Sequence, residues 1–215
     1  MKQIGGWWLP DSERHMGPML AQSKLIDGRG TYQLTTLAVA LKAGGLKRES
    51  RAIDVGAHVG LWTYHLAKIF RQVEAFEPVP EFRECLKRNV KAQNVTIRQE
   101  ALGAIEGRSA ICFDTVNTGA TRLEGTDGHV PVMPLDAYGF EDVGIMKIDT
   151  EGFELFVVQG ARATILRCKP VMIVEQKGGH AHYGIAERLA AVEELKGMGA
   201  KVLAQVVDDF ILGWE

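Results

Sequence analysis

Lys147, Asp149 and Glu151 alternate along the stretch MKIDTE. Residues two apart on an extended chain face the same way. A cation and two carboxylates would therefore converge at one strand end, an arrangement that can orient a hydroxyl and take its proton. Asp149 is the first candidate for substrate orientation or general base. Lys147 either lowers a hydroxyl's pKa or forms an internal ion pair. Glu154 falls in the first turn of the next helix, where a carboxylate suits the dipole, and Glu151 and Glu154 read equally as groups that cap the helix or hold its loop. Glu175 ends a second apolar run. After it comes QKGGHAHYG, with His180 and His182 in H-x-H spacing. Histidine titrates near neutrality, so His180 is the second candidate base. Such carboxylates could bind a hard cation, but pairing with Lys147 accounts for them without one, and no metal is expected.

A second constellation lies in RAIDVGAHVGLWT. An apolar run carrying Asp54 breaks at Gly56, and Gly60 opens a helical pattern. Glycine lets the backbone turn sharply and a ligand approach closely, and a helix N-terminus favours an anion. The dinucleotide fingerprint needs a glycine where His58 stands. The pattern D-x-G-x-x-x-G leaves a roomier turn, suited to a nucleoside with a small charged tail such as S-adenosylmethionine. Taken alone, the loop reads equally as a structural turn. Glu77 then stands 23 residues beyond Asp54, the distance at which an acidic side chain meets a ribose diol. Glu100, Ala101 and Leu102 close a third apolar run, with Glu100 placed to accept an adenine amino group and Leu102 to pack on the ring. Trp7 and Trp8 could stack on a sugar or base, or pack in a core or lid.

These residues need a scaffold. Apolar runs predict strands at 52–55, 73–76, 95–99, 143–148 and 171–174. Helical periods fill 31–45, 61–70, 80–90, 154–167 and 186–198. Lys201–Val207, a turn at Asp208-Asp209 and Phe210–Trp214 read as a hairpin. Segments 109–116 and 130–135 suggest an extra hairpin or a long connection. The alternation implies an α/β fold, a doubly wound and mostly parallel seven-stranded sheet ending in an antiparallel hairpin. Its ligands bind beyond the carboxyl ends of the strands, where Asp54, Glu77, Glu100, Asp149 and Glu175 all fall.

The strings IDVGAHVGLWT, VEAFEPVPEFRECLKRN, EALG, MKIDTEGFELFVVQGA and PVMIVEQ together resemble the FkbM-type methyltransferases. The resemblance implies a Rossmann-like class I fold, S-adenosylmethionine as cofactor and O-methylation of a hydroxyl on a sugar or polyketide. It places Asp54, Gly56, Gly60 and Glu77 on the cofactor motif and Lys147, Asp149, Glu151, Gly152 and Glu154 on a second hallmark. His58 stands where the family often has Asn. The resemblance runs from about Ala52 to Glu175 and more loosely to the C-terminus; residues 46–215 are read as the catalytic domain and 1–45 as a segment and helix that can lid the substrate.

The 215 residues carry a net charge of −2, which gives no global field for nucleic acid and disfavours an RNA 2′-hydroxyl as acceptor. Three cysteines without CxxC spacing fit free thiols in a reducing cytoplasm. No signal peptide or membrane span is expected, so the Asn94-Val95-Thr96 sequon carries no meaning. The expected partner is a small hydroxylated, sugar-like molecule. Rival readings are a nicotinamide-dependent oxidoreductase and a non-catalytic, cofactor-binding partner subunit.

Overall fold

The computed structural model describes residues 1–45 and 48–214. Residues 46, 47 and 215, at which the expected catalytic domain begins and ends, lie outside the described residues. Seven strands form the main sheet: β1 (Arg51–Val55), β2 (Gln72–Phe76), β3 (Val95–Arg98), β4 (Val143–Ile148), β5 (Val171–Glu175), β6 (Lys201–Val206) and β7 (Asp209–Gly213). Their order is β6-β7-β5-β4-β1-β2-β3. Strands β1 to β5 run parallel, and β7 is antiparallel to both neighbours. Strand order reverses between β1 and β4. Both β4 and β5 are buried along their whole length, as near-continuous apolar strands must be when helices cover both faces of a sheet.

Alternation along the strands sorts the core. Ile53, Met146, Met172 and Val174 face α5 (Glu154–Gly160), α6 (Arg162–Cys168) and α7 (Ala190–Gly197). Ala52, Ile145, Val171 and Ile173 face α2 (Leu34–Ala43) and α3 (Leu61–Leu66). Asp54 shares its parity with Ala52, and Lys147 with Ile145, so both polar side chains point to the α3 side. They are also register partners across β1 and β4.

Several expected boundaries move, each for a local reason. The helix expected over 154–167 is two, because Asp136 Oδ1 and Oδ2 accept the backbone N–H groups of Thr164 and Ala163 at 2.8 Å and start α6 afresh. Helix α3 ends at Leu66 rather than Phe70, and Asn94 Nδ2 donates to the carbonyls of Ala67 and Phe70 at 2.9 Å. The last hairpin turns at Val207-Asp208, so Asp209 is a buried strand residue. The 109–135 region joins Ala101–Leu102 in a second sheet of four strands, the others being Gly107–Cys112, Arg122–Glu124 and Val130–Met133.

The N-terminal 30 residues form a hairpin (Lys2–Ile4 with Trp7–Leu9), then α1 (Met16–Gln22) and a short two-stranded ribbon. Trp7, Leu9, Met16 and Leu20 pack on Val59, Leu61 and Cys85, the last from α4 (Pro80–Asn89). Trp7 is core, its Nε1 donating to the Gly30 carbonyl at 2.7 Å. Trp8 is tied to α4, its N–H donating to Asn89 Oδ1 at 2.8 Å. Helix α2, placed by sequence with the N-terminal segment, packs on β6 and β7 of the main sheet. Among the described residues no helix is long and apolar enough to cross a membrane.

Candidate active site

Two adjoining cavities open at the carboxyl ends of β1, β2 and β4 and share Gly56, His58, Gly119, Asp149 and Glu151 as walls. The first, about 600 Å³, adds Phe76, Glu77, Phe82, Ala101, Leu102 and Phe153. The second, about 700 Å³, adds His15, Met16, Met19, Tyr32, Asp54, Trp62, Lys147 and Lys177.

The glycine turn begins where β1 ends. Gly56 has φ +77, and a Cβ there would meet the Asp149 carbonyl oxygen at 1.9 Å, so only glycine lets the loop lie against the end of β4. His58 also takes a left-handed φ of +49. Its N–H donates to Glu77 Oε2 at 2.8 Å, and Val79 N–H donates to Glu77 Oε1 at 2.8 Å. Glu77 is buried, which pushes its carboxyl up to about 7 against those two bonds. Each oxygen keeps a lone pair for a hydroxyl donor.

On the other side of the turn Asp54 is fully buried. Its Oδ2 accepts from Thr63 Oγ1 at 2.6 Å, while Oδ1 has no partner among the described residues. An unpartnered buried acceptor beside a cavity calls for a donor from a ligand. Lys147 Nζ donates to Asp149 Oδ2 at 2.9 Å. Burial opposes ionisation of Asp149, but the Lys147 ammonium and a hydrogen bond from Glu175 hold its carboxyl below the usual range. Glu175 behaves oppositely, pushed up to about 9 by burial and then by the Asp149 charge beside it. The two carboxyls are thus pushed in opposite directions, Asp149 down and Glu175 up, as a hydrogen bond donated by Glu175 to Asp149 requires.

Oxygens of Asp149, Glu151 and Glu175 lie within 4.8 Å of one another. Lys147 meets Asp149, and Lys177 meets Glu151 at 2.8 Å and Glu175 at 3.1 Å. Two ammonium groups thus supply the positive charge that a divalent cation would bring.

Glu154 is buried outside both cavities. Its Oε1 accepts from Thr150 N–H, Thr150 Oγ1 and Gly152 N–H at 3.0, 3.1 and 2.9 Å, so it holds the loop that carries Glu151. Glu100 is not on the cavity wall. It lies beside Tyr138, whose hydroxyl is pushed up to about 12 by burial and by that carboxylate. His180 lines neither cavity, and its Nδ1 is buried without a partner. The structure therefore gathers Asp54, Gly56, His58, Glu77, Ala101, Leu102, Lys147 and Asp149 around the two cavities. Glu175 backs Asp149, Gly60 sets the start of α3, and Glu100 and His180 stand outside.

Four residues that sequence reading passes over belong here. Lys177 closes the carboxylate cluster, and Asp209, the register partner of Glu175, is buried behind it. Glu13 and Thr118, 105 residues apart, meet above the glycine turn, where Thr118 donates its N–H at 3.0 Å and its hydroxyl to Glu13 Oε2. Glu13 Oε1 accepts the His15 and Met16 N–H groups at 2.5 Å. Burial disfavours the Glu13 charge, yet these donors hold its carboxyl below the usual range. Glu13 is then a pure acceptor, so the Thr118 hydroxyl hydrogen points to it. The 2.9 Å contact between Thr118 Oγ1 and His58 Nε2 must be an N–H donation from the ring. His58 is neutral, burial pushing it down to about 4, and its Nδ1 lone pair is left for a donor.

The geometry agrees with what the chain is similar to. The family described as the methyltransferase FkbM domain matches residues 54–202. A ubiquinone biosynthesis O-methyltransferase from Methylocella silvestris is 29% identical over 121 residues, 51% of this chain and 45% of that protein. The chain thus spans about half the length of that curated relative. Among solved structures, a methyltransferase FkbM from Methylobacillus flagellatus KT superposes with a TM-score of 0.53 at 15% identity, covering 82% of this chain and 48% of that one. A Streptococcus mutans protein described as a methyltransferase, solved with S-adenosylhomocysteine, gives 0.51 at 13%, covering 83% and 94%. Likeness at these identities speaks for the fold, and the family match over most of the chain decides the rest: this protein is a member of the FkbM methyltransferase family.

Proposed function

We propose that the chain is an S-adenosylmethionine-dependent methyltransferase that methylates a hydroxyl on a small, sugar-like molecule. The observation that carries this reading is the joining of two unlike cavities at Gly56, His58 and Asp149. One offers a buried diol acceptor, Glu77, beside an apolar slot of Phe76, Ala101, Leu102 and Phe153. The other offers an ionised carboxylate backed by a lysine. The residues fit the cofactor on the protein's own evidence: the unpartnered Asp54 Oδ1 suits an ammonium donor, and the Gly56 cradle admits no side chain.

When bound, the cofactor supplies a methyl group already activated by a sulfonium, so placement does much of the work. Glu77 accepts the two sugar hydroxyls. Asp54 and the His58 Nδ1 lone pair accept from the cofactor's polar tail. Asp149 would accept the hydrogen of the acceptor hydroxyl and take its proton at a carboxylate oxygen as the sulfonium C–S bond is exchanged for the new C–O bond, a contribution of ~10²–10⁴-fold. Lys147 keeps Asp149 ionised and ready, and a hydrogen bond from Glu175 holds its carboxylate in place. Lys147 and Lys177 already neutralise the carboxylates, which favours a mechanism without a metal. Met16, Met19 and Tyr32 roof the acceptor side and exclude water.

The direct test is calorimetry with S-adenosylhomocysteine, followed by labelled S-adenosylmethionine with fractionated metabolites. Micromolar binding that Glu77→Ala weakens at least tenfold is expected. Absence of heat at millimolar ligand would refute the assignment.

A further inference from the structure

The second cavity has no roof of its own. Its upper wall is His15, Met16 and Met19 from the N-terminal segment, facing Asn117 and Gly119 from the loop before Arg122. These two parts of the chain are joined around Glu13. Glu13 sits between them, taking N–H groups from His15 and Met16 on its own side and both donors of Thr118 on the other. The backbone adds one further link, from Arg14 N–H to the Val116 carbonyl at 3.1 Å. Thr118 in turn holds the His58 ring at 2.9 Å, and the His58 N–H holds Glu77 at 2.8 Å. An unbroken series of hydrogen bonds therefore runs from the carboxylate that reads the ribose to the wall that would touch the acceptor.

We propose that Glu13 and Thr118 are positioning residues that couple cofactor binding to closure of the acceptor roof. This rests on the cofactor reading above and adds to it an order of events, cofactor before acceptor. A ribose diol fixes Glu77, and Glu77 fixes the His58 backbone. The His58 ring then fixes the Thr118 oxygen, and Thr118 draws the N-terminal segment down over Asp149. Each member has a single hydrogen-bonding orientation open to it, set by the Glu13 carboxylate accepting only, so the series has no slack at which the effect could be lost. Cofactor thereby fixes the wall that the acceptor must touch, so the acceptor binds well only to a site already loaded.

Hydrogen exchange with and without S-adenosylhomocysteine tests this, since coupling between sites is a ratio of free energies that must appear from either side. In the wild type and in Thr118→Ser, saturating S-adenosylhomocysteine should slow exchange at residues 13–20 by about tenfold. In Thr118→Val, which keeps the shape and loses the hydroxyl, the slowing should fall below about twofold. Glu13→Ala, which touches neither cavity, should behave like Thr118→Val. By reciprocity both variants should bind S-adenosylhomocysteine more weakly by about the same factor by which the wild-type roof is protected. Equal protection in Thr118→Val and wild type overturns the proposal. So does a wild type that binds the ligand by calorimetry without any change in exchange at residues 13–20. A wild type that gives no heat sinks the cofactor reading itself, and calorimetry thereby separates the two failures.

Discussion

A buried carboxylate offered to a ligand must have its charge answered, and Glu77 and Asp149 are answered differently. The Glu77 carboxylate has two backbone N–H donors and, among the described residues, no cation bonded to it, Arg83 donating instead to the Glu77 carbonyl at 2.9 Å, and burial leaves it near 7. Protonated, it presents one acceptor instead of two, so affinity for S-adenosylhomocysteine should fall as pH drops below about 7. Glu77→Gln should be weak at every pH and lose that dependence in calorimetry from pH 5.5 to 8.5. Asp149 has Lys147. Removing the ammonium in Lys147→Met leaves burial to dominate and raises the Asp149 pKa. The acid limb of the pH–rate profile should then move to higher pH, while Asp149→Asn should lower kcat by ~10²–10⁴-fold and keep the cofactor bound. Asp54, Glu77, Lys147 and Asp149 were legible in the sequence because each lies within one residue of the end of an apolar run at the reading edge of a parallel sheet. Glu13 and Thr118 were not, since only the tertiary fold brings partners 105 residues apart together. The two histidines of HAHY had the right chemistry and the wrong address. A 3₁₀ turn over His180–Tyr183 keeps His180 off the cavity walls.

At the level of elements, two left-handed positions have opposite consequences. Gly56 is pinned, because an added Cβ would strike the Asp149 carbonyl at 1.9 Å. Gly56→Ala should cost more than the ~1–3 kcal/mol of backbone strain alone, measured as a fall in urea midpoint, with cofactor binding lost. Val207 is exposed and held at φ +56 in the last hairpin turn. A β-branched residue is badly suited to that region. Val207→Asn should therefore stabilise the fold by about 0.5–1 kcal/mol, visible as a raised urea midpoint at unchanged slope. The Asp-Asp pair drew the expected turn one residue too far, since Asp is common in turns, whereas pairing of Asp209 with Glu175 and Val206 sets the register. Strands β1, β2, β4 and β5 were legible because burial on both faces writes apolar runs, while the edge strand β3 is half-buried throughout and was read from its place in the alternation. The α5–α6 break was not, because its cap comes from Asp136, 26 residues upstream of Arg162.

For the whole molecule, the decisive relation is between the α/β body and the first 30 residues. The segment seals an apolar patch of Val59, Leu61 and Cys85 with Trp7, Leu9, Met16 and Leu20. Deleting residues 2–30 should uncover that patch, and binding of a hydrophobic dye should rise sharply while the far-ultraviolet circular dichroism of the main sheet persists. Cys85 has no exposed surface and a thiol pushed up to about 11 by burial, so it reacts only when something above it lifts. In a background where Cys112 and Cys168 are serine, a maleimide becomes a clock: at concentrations high enough for labelling to outpace reclosing, the ticking rate gives the breathing frequency of the segment.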